Sequence, residues 1–115
     1  MRGYDPWLWL LQRVTAGVLV AALALHFWFL HYQQPGAIID YSNVAVRLRT
    51  VLFVTVDLSL LACGLLHGLN GLYQVLLDFG LRGRVQVWTA RILVLLGVLV
   101  FVLGLSSVLK FAVTA

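Results

Sequence analysis

One histidine, His67, stands in a glycine-rich stretch of the chain with Cys63, Gly64, Gly68 and Gly71 around it. At 100° per residue, Cys63, Gly64 and Gly71 fall within about 60° of His67 on a helix, and Gly68 adjoins it. Such a stripe leaves a flat surface where a large planar group can approach the backbone. Imidazole is the commonest protein ligand of haem iron. The same residues also suit a histidine hydrogen-bonded to a neighbouring helix, with Gly64-xxx-Gly68 serving close helix packing. Both readings stand on these residues.

Asp78 lies eleven residues after His67, hence on nearly the same helix face and about 16 Å further along the axis. An acid closing a helix at a membrane boundary is its simplest account. Arg13 stands beside Gln12 near the start of an apolar run, where it can snorkel as a topology anchor or bind a carbonyl oxygen or an anionic propionate. His26 and His31 are five residues apart, about 140° around a helix, so they cannot share one ligand face. We expect Asp57 to pair with Arg47, Arg49 or a partner helix. There is no nucleophile elbow, phosphate loop or multi-cysteine metal cluster. Any reaction here is electron and proton transfer at a bound cofactor.

The elements that position these residues are set by composition. Of 115 residues, 63% are hydrophobic and 10% charged, and the mean hydropathy is +1.01. Water-soluble domains carry roughly 45–50% apolar and about 25% charged residues, so a soluble enzyme domain, a disordered regulator and a collagen-like fibre are excluded. A lone cysteine excludes a disulfide scaffold. The net charge of +4 comes from basic residues scattered among apolar runs, which is no nucleic-acid footprint. We therefore expect an all-α integral membrane protein, one domain over 1–115, with spans at about 11–31, 50–77 and 88–111. Ala22-Leu23-Ala24 resembles the end of a cleaved leader, but we read the first span as retained. Gln33-Gln34-Pro35-Gly36 breaks the chain, Asp40-Tyr41-Ser42-Asn43 resembles a helix start, and Gly80 and Gly83 are placed to end a helix and turn.

Three spans put Arg2, Arg13, Arg82, Arg84 and Arg91 on one side and Arg47, Arg49 and Lys110 on the other. That imbalance predicts an N-terminus in the cytoplasm, and we expect the membrane to be a bacterial-type inner membrane. Trp7, Trp9, Tyr73 and Trp88 near that side, and Trp28 and Tyr32 near the other, suit interfacial aromatic belts. Leu and Val on all sides of each helix mark a subunit whose bundle a partner completes.

The segment 11–16 (LQRVTA) and the segment 67–79 (HGLNGLYQVLLDF) resemble the membrane anchor subunits of succinate dehydrogenase, respiratory complex II. Chain length, three spans and the His-x3-Gly-x6-Asp spacing resemble the D-type anchor. The resemblance implies a complex with a flavoprotein subunit, an iron–sulfur subunit and a second hydrophobic anchor, this chain being non-catalytic alone. It implies one haem b shared between the anchors, with His67 as one axial ligand, and a quinone as substrate. Asp78 matches the acid of the quinone pocket, and Arg13 matches loosely an arginine near quinone or propionate. Members with two haems make His26 or His31 candidates for the second. One departure is Phe79, where relatives carry a tyrosine that hydrogen-bonds the quinone. The alternatives are a haem-free anchor of the same complex and an unrelated small transporter subunit.

Overall fold

The computed structural model describes residues 5–32, 36 and 40–114. Arg2 and the breaker Gln33-Gln34-Pro35 lie outside the described residues. Four helices follow in order: α1 Pro6–His31, α2 Tyr41–Leu48, α3 Val51–Asp78 and α4 Gly83–Thr114. The described residues contain no strand. α1, α3 and α4 are long and apolar enough to cross a membrane, as the charge-free runs require.

Helix ends follow from local chemistry. The Asp5 side chain accepts from Trp7 N at 3.0 Å and Pro6 occupies the first helical position, where its missing N–H costs nothing. α1 thus starts five residues before the expected boundary. Asp40 accepts from Asn43 N and from the Ser42 hydroxyl, both at 2.8 Å, and so opens α2 as the sequence suggests. This is a separate helix, because the chain turns at Arg49 and Thr50 before α3. α3 ends in a left-handed cap at Gly80, φ 94°. Gly80 N donates to Leu77 O and Leu81 N to Leu76 O, which is the Schellman arrangement. α4 starts at Gly83 rather than near Trp88, since nothing between them interrupts a helix.

α1 packs along α3, and α3 along α4, while the backbones of α1 and α4 stay more than 8 Å apart between Cα atoms. α3 is thus the central helix. The α1–α3 pair is antiparallel in register: Leu8 meets Gln74, Gln12 meets Asn70, Thr15 meets His67, His26 meets Asp57 and Phe29 meets Phe53. On α4, Gly97 and Gly104 admit leucines of α3. A Cβ would stand 2.7 Å from Leu69 Cδ1 at Gly97 and 2.5 Å from Leu61 Cδ2 at Gly104. Among the described residues only Ala22, Ala45, Val56 and Thr15 are buried within the chain. The remaining apolar surface belongs to lipid or to a partner.

Candidate functional site

His67 lies on α3 at the seam with α1. Thr15, the buried polar residue, lies 3.3 Å from its Nδ1. The Thr15 hydroxyl hydrogen is already committed to Leu11 O at 2.7 Å. Its oxygen can therefore only accept from the ring, so Nδ1 carries the hydrogen and Nε2 holds the lone pair. That tautomer presents the nitrogen a metal takes, with the other ring N–H held by the protein.

Gln12 completes the seam. Its Nε2 donates to His67 O at 3.2 Å and lies 3.5 Å from His67 Nε2. Its Oε1 accepts from Asn70 Nδ2 at 2.8 Å. Asn70 Nδ2 also donates to Leu8 O at 3.0 Å, and Gln74 Nε2 reaches the same carbonyl at 3.4 Å. A Cβ on Gly71 would sit 3.0 Å from Gln12 Nε2, so this glycine makes room for the amide. Gly64 faces Leu19 at 4.0 Å, whereas a Cβ on Gly68 would have nothing within 4 Å. Close packing therefore runs through Gly64 and Gly71, not through the Gly64-xxx-Gly68 pattern. The space beside Gly68 stays open next to the imidazole. An acceptor nitrogen fixed from behind, next to an open glycine, is what a histidine that would hold a haem iron needs.

Arg13 is not brought to His67. It is exposed, one residue and so about 100° round α1 from Gln12, with its guanidinium 5.1 Å from the centre of the Trp9 ring. Asp78 is the last residue of α3, exposed on the His67 side of the helix at the α3–α4 connection. Phe79 beside it is 83% exposed.

The second polar contact between α1 and α3 selects among the expected partners of Asp57 the last, another helix. Asp57 pairs with His26, Oδ1 to Nδ1 at 3.0 Å, rather than with Arg47 or Arg49. The antiparallel register brings His26 to it, while the break at Arg49 and Thr50 turns α2 away. His31 lies apart: its Nδ1 meets Phe27 O at 3.2 Å and its ring stacks on Phe27. Ser106 and Ser107 on α4 donate to Val102 O and Leu103 O of their own helix, so α4 sends neither hydroxyl to a polar pathway. Among the described residues no three His, Cys, Asp or Glu side chains group to hold a metal ion. Sequence reasoning singled out His67 but gave no role to Thr15, Asn70 or Gln74, whose only signal is spacing: Asn70 and Gln74 lie three and seven residues after His67, and Thr15 three after Gln12.

The family of succinate dehydrogenase/fumarate reductase transmembrane subunits matches residues 2–106. A relative named succinate dehydrogenase hydrophobic membrane anchor subunit, from Archaeoglobus fulgidus, is 28% identical over 101 residues. The match covers 88% of this chain and 86% of that protein. An unrelated transporter is thereby excluded. With three apolar helices and a histidine at the seam of two of them, the chain belongs to the succinate dehydrogenase/fumarate reductase transmembrane subunit family.

Proposed function

We propose that the chain is the D-type anchor of a succinate:quinone oxidoreductase, that His67 is an axial ligand of one haem b, and that quinone exchanges protons at Asp78. The observation that carries this reading is the Thr15–His67 contact, which leaves Nε2 as the acceptor. When bound, haem b supplies one-electron storage beside the route from the iron–sulfur subunit to the quinone.

The chain's own residues do the rest. Thr15 orients the ring, and Gln12, whose 3.5 Å approach to Nε2 is at the limit of a hydrogen bond, gives way to the ligand while keeping Asn70. The second axial ligand comes from the other anchor. Quinone reduction takes up two electrons and two protons, and Asp78 at the membrane boundary passes protons from water. Arg13, exposed at the same end as Asp78, serves a propionate or the quinone through that partner. The flavoprotein and iron–sulfur subunits dock on this side, which the arginine distribution makes cytoplasmic.

A second reading is a haem-free anchor, favoured by the same seam: Gln12 seated over Gly71 is also what plain helix packing needs. Visible spectra of the purified complex separate the two. For the haem anchor, dithionite reduction gives b-type bands that His67→Ala removes or shifts and His31→Ala leaves unchanged. Absence of bands in the unaltered complex selects the haem-free reading. Bands indifferent to His67→Ala overturn the ligand assignment.

A further inference from the structure

The contact of His26 with Asp57 takes no part in the site built round His67. It joins Nδ1 to Oδ1 at 3.0 Å and leaves the two side chains 35% and 28% exposed. Among the described residues each side chain's only polar contact is the other, so His26 Nε2 and Asp57 Oδ2 are left over. His26 stands five residues before the end of α1 and Asp57 six after the start of α3, about 8–9 Å along each axis. Helices of 26 and 28 residues run about 39 and 42 Å and overrun a roughly 30 Å hydrocarbon core at both ends. Centred in it, they set the pair just inside its far edge.

Charge fixes what the pair presents. A carboxylate facing hydrocarbon is costly unless its charge is cancelled, and one proton shared with the imidazole cancels it. Whether that proton sits on Nδ1 or on Oδ1, the other ring nitrogen, Nε2, carries a hydrogen. The free edge is therefore one donor, Nε2–H, beside one acceptor, Oδ2, with no net charge. Such an edge offers nothing to a lipid phosphate, and left bare among acyl chains it is costly.

The surroundings suit a helix. Asp57 lies within about 20° of Gly64 and Gly68 round α3. In antiparallel helices a rotation in one sense from the seam leads to the same side of both. Leu23 on α1 is about 80°, and Gly68 on α3 about 100°, from the Thr15–His67 contact. They share a face with the pair, opposite the apolar groove lined by Leu11, Leu66, Tyr73 and Phe101. Leu23 is 58% exposed, and a Cβ on Gly68 would meet nothing within 4 Å, so another backbone can approach closely there. We propose that the His26–Asp57 pair is the polar recognition point for a transmembrane helix of another subunit. That helix presents an uncharged side chain, a carboxamide or a hydroxyl, that accepts from Nε2–H and donates to Oδ2. His26 then donates at Nε2 and has no lone pair there for a second haem.

The test uses the complex as it assembles in its native membrane. With Leu23 replaced by p-benzoylphenylalanine, irradiation should yield an adduct with the mass of this chain plus another membrane subunit. His26→Leu combined with Asp57→Leu should lower that adduct by about fivefold or more, the effect of one interhelical hydrogen-bonded contact in a membrane. Phe29 and Phe53, whose rings stand 4.9 Å apart across α1 and α3, report on the chain's own seam. Phe29→Cys with Phe53→Cys should be bridged by dibromobimane equally with and without the two leucines. An adduct with lipid alone, or none, while the pair is intact overturns the proposal. So does an adduct indifferent to the leucines, or bridging lost together with the adduct, since the pair then only holds α1 to α3. Adducts are read by mass whether or not haem is present, so this proposal and the haem reading fail separately.

Discussion

Replacing Thr15 by Val tests the histidine seam at its narrowest point. Thr15 is 3% exposed, so water cannot replace the lost oxygen, and Val keeps nearly the same volume. The His67 Nδ1–H then loses its acceptor at 3.3 Å. A buried donor left unpaired costs about 1–3 kcal/mol. If the bound state depends on that tautomer and the free state does not, the cost appears in haem affinity as about 5- to 150-fold at 1.4 kcal/mol per decade. This range contains the roughly 10–100-fold seen when a group orienting a metal ligand is removed. The assay is haem per complex by pyridine haemochrome, titrated against a competing apo-haem protein, beside the reduced spectrum. Thr15→Ser, which retains the oxygen, should restore most of the affinity. A Val variant that binds haem as tightly as the unaltered protein would refute the tautomer argument, even if His67 remained a ligand.

Three further outcomes are expected. Asp78→Asn should leave haem content and succinate oxidation by an artificial acceptor unchanged but lower the quinone-dependent rate by at least about tenfold. That is below the roughly 10²–10⁴-fold range for losing an acid–base group because interfacial water carries part of the transfer; proportional change in both assays would make Asp78 only a helix-end residue. Gly80→Ala forces a side chain into φ 94° and should destabilise the α3–α4 turn by about 1–2 kcal/mol, read as a lower midpoint in detergent-titrated unfolding, whereas an unchanged midpoint counts against the cap. The Asn43 N–H and then the Ser42 hydroxyl hold the exposed Asp40 carboxyl below its ordinary value of 3.8. Its cap is therefore fully present above that value and is lost as pH falls through the lowered folded one; protection of the Asn43 amide, taken relative to its intrinsic exchange rate, should fall only in that acid window, and lost protection near neutral pH contradicts the cap.

The spans were legible because charge is costly in hydrocarbon, so runs free of charge mark α1, α3 and α4 without further knowledge. The starts at Asp40 and the stop at Gly80 were legible because caps and left-handed turns have local residue requirements. Tertiary partners were not. Gln12 stands in the sequence only as a neighbour of Arg13, and Asn70 and Gln74 carry no role until the register sets them against α1. That register depends on the path through α2, which chain spacing does not reveal. Asp57 shows the same limit: Arg47 and Arg49 are closer in sequence, yet His26 is the residue α1 presents to it. His67 was visible as a type in an unusual context, while its hydrogen-bond donor state required Thr15.

The far end of α3 limits what this chain does alone. Phe79 caps the helix without a polar side-chain atom. Tyr73, the nearest tyrosine on α3, is five residues and about 140° from Asp78, and its hydroxyl accepts from Gln86 beside the groove. Asp5, at the same end, is committed to Trp7 N. In the proposed reading a quinone carbonyl needs both a hydrogen-bond donor and a proton source, and this chain offers the second at Asp78. In that reading Phe79 cannot donate, so the donor is Arg13 or a group of another subunit, which would also bring the second haem ligand. His67 and Asp78 lie on one line of α3, about 16 Å apart, so in that reading a partner that completes both has to cover that line.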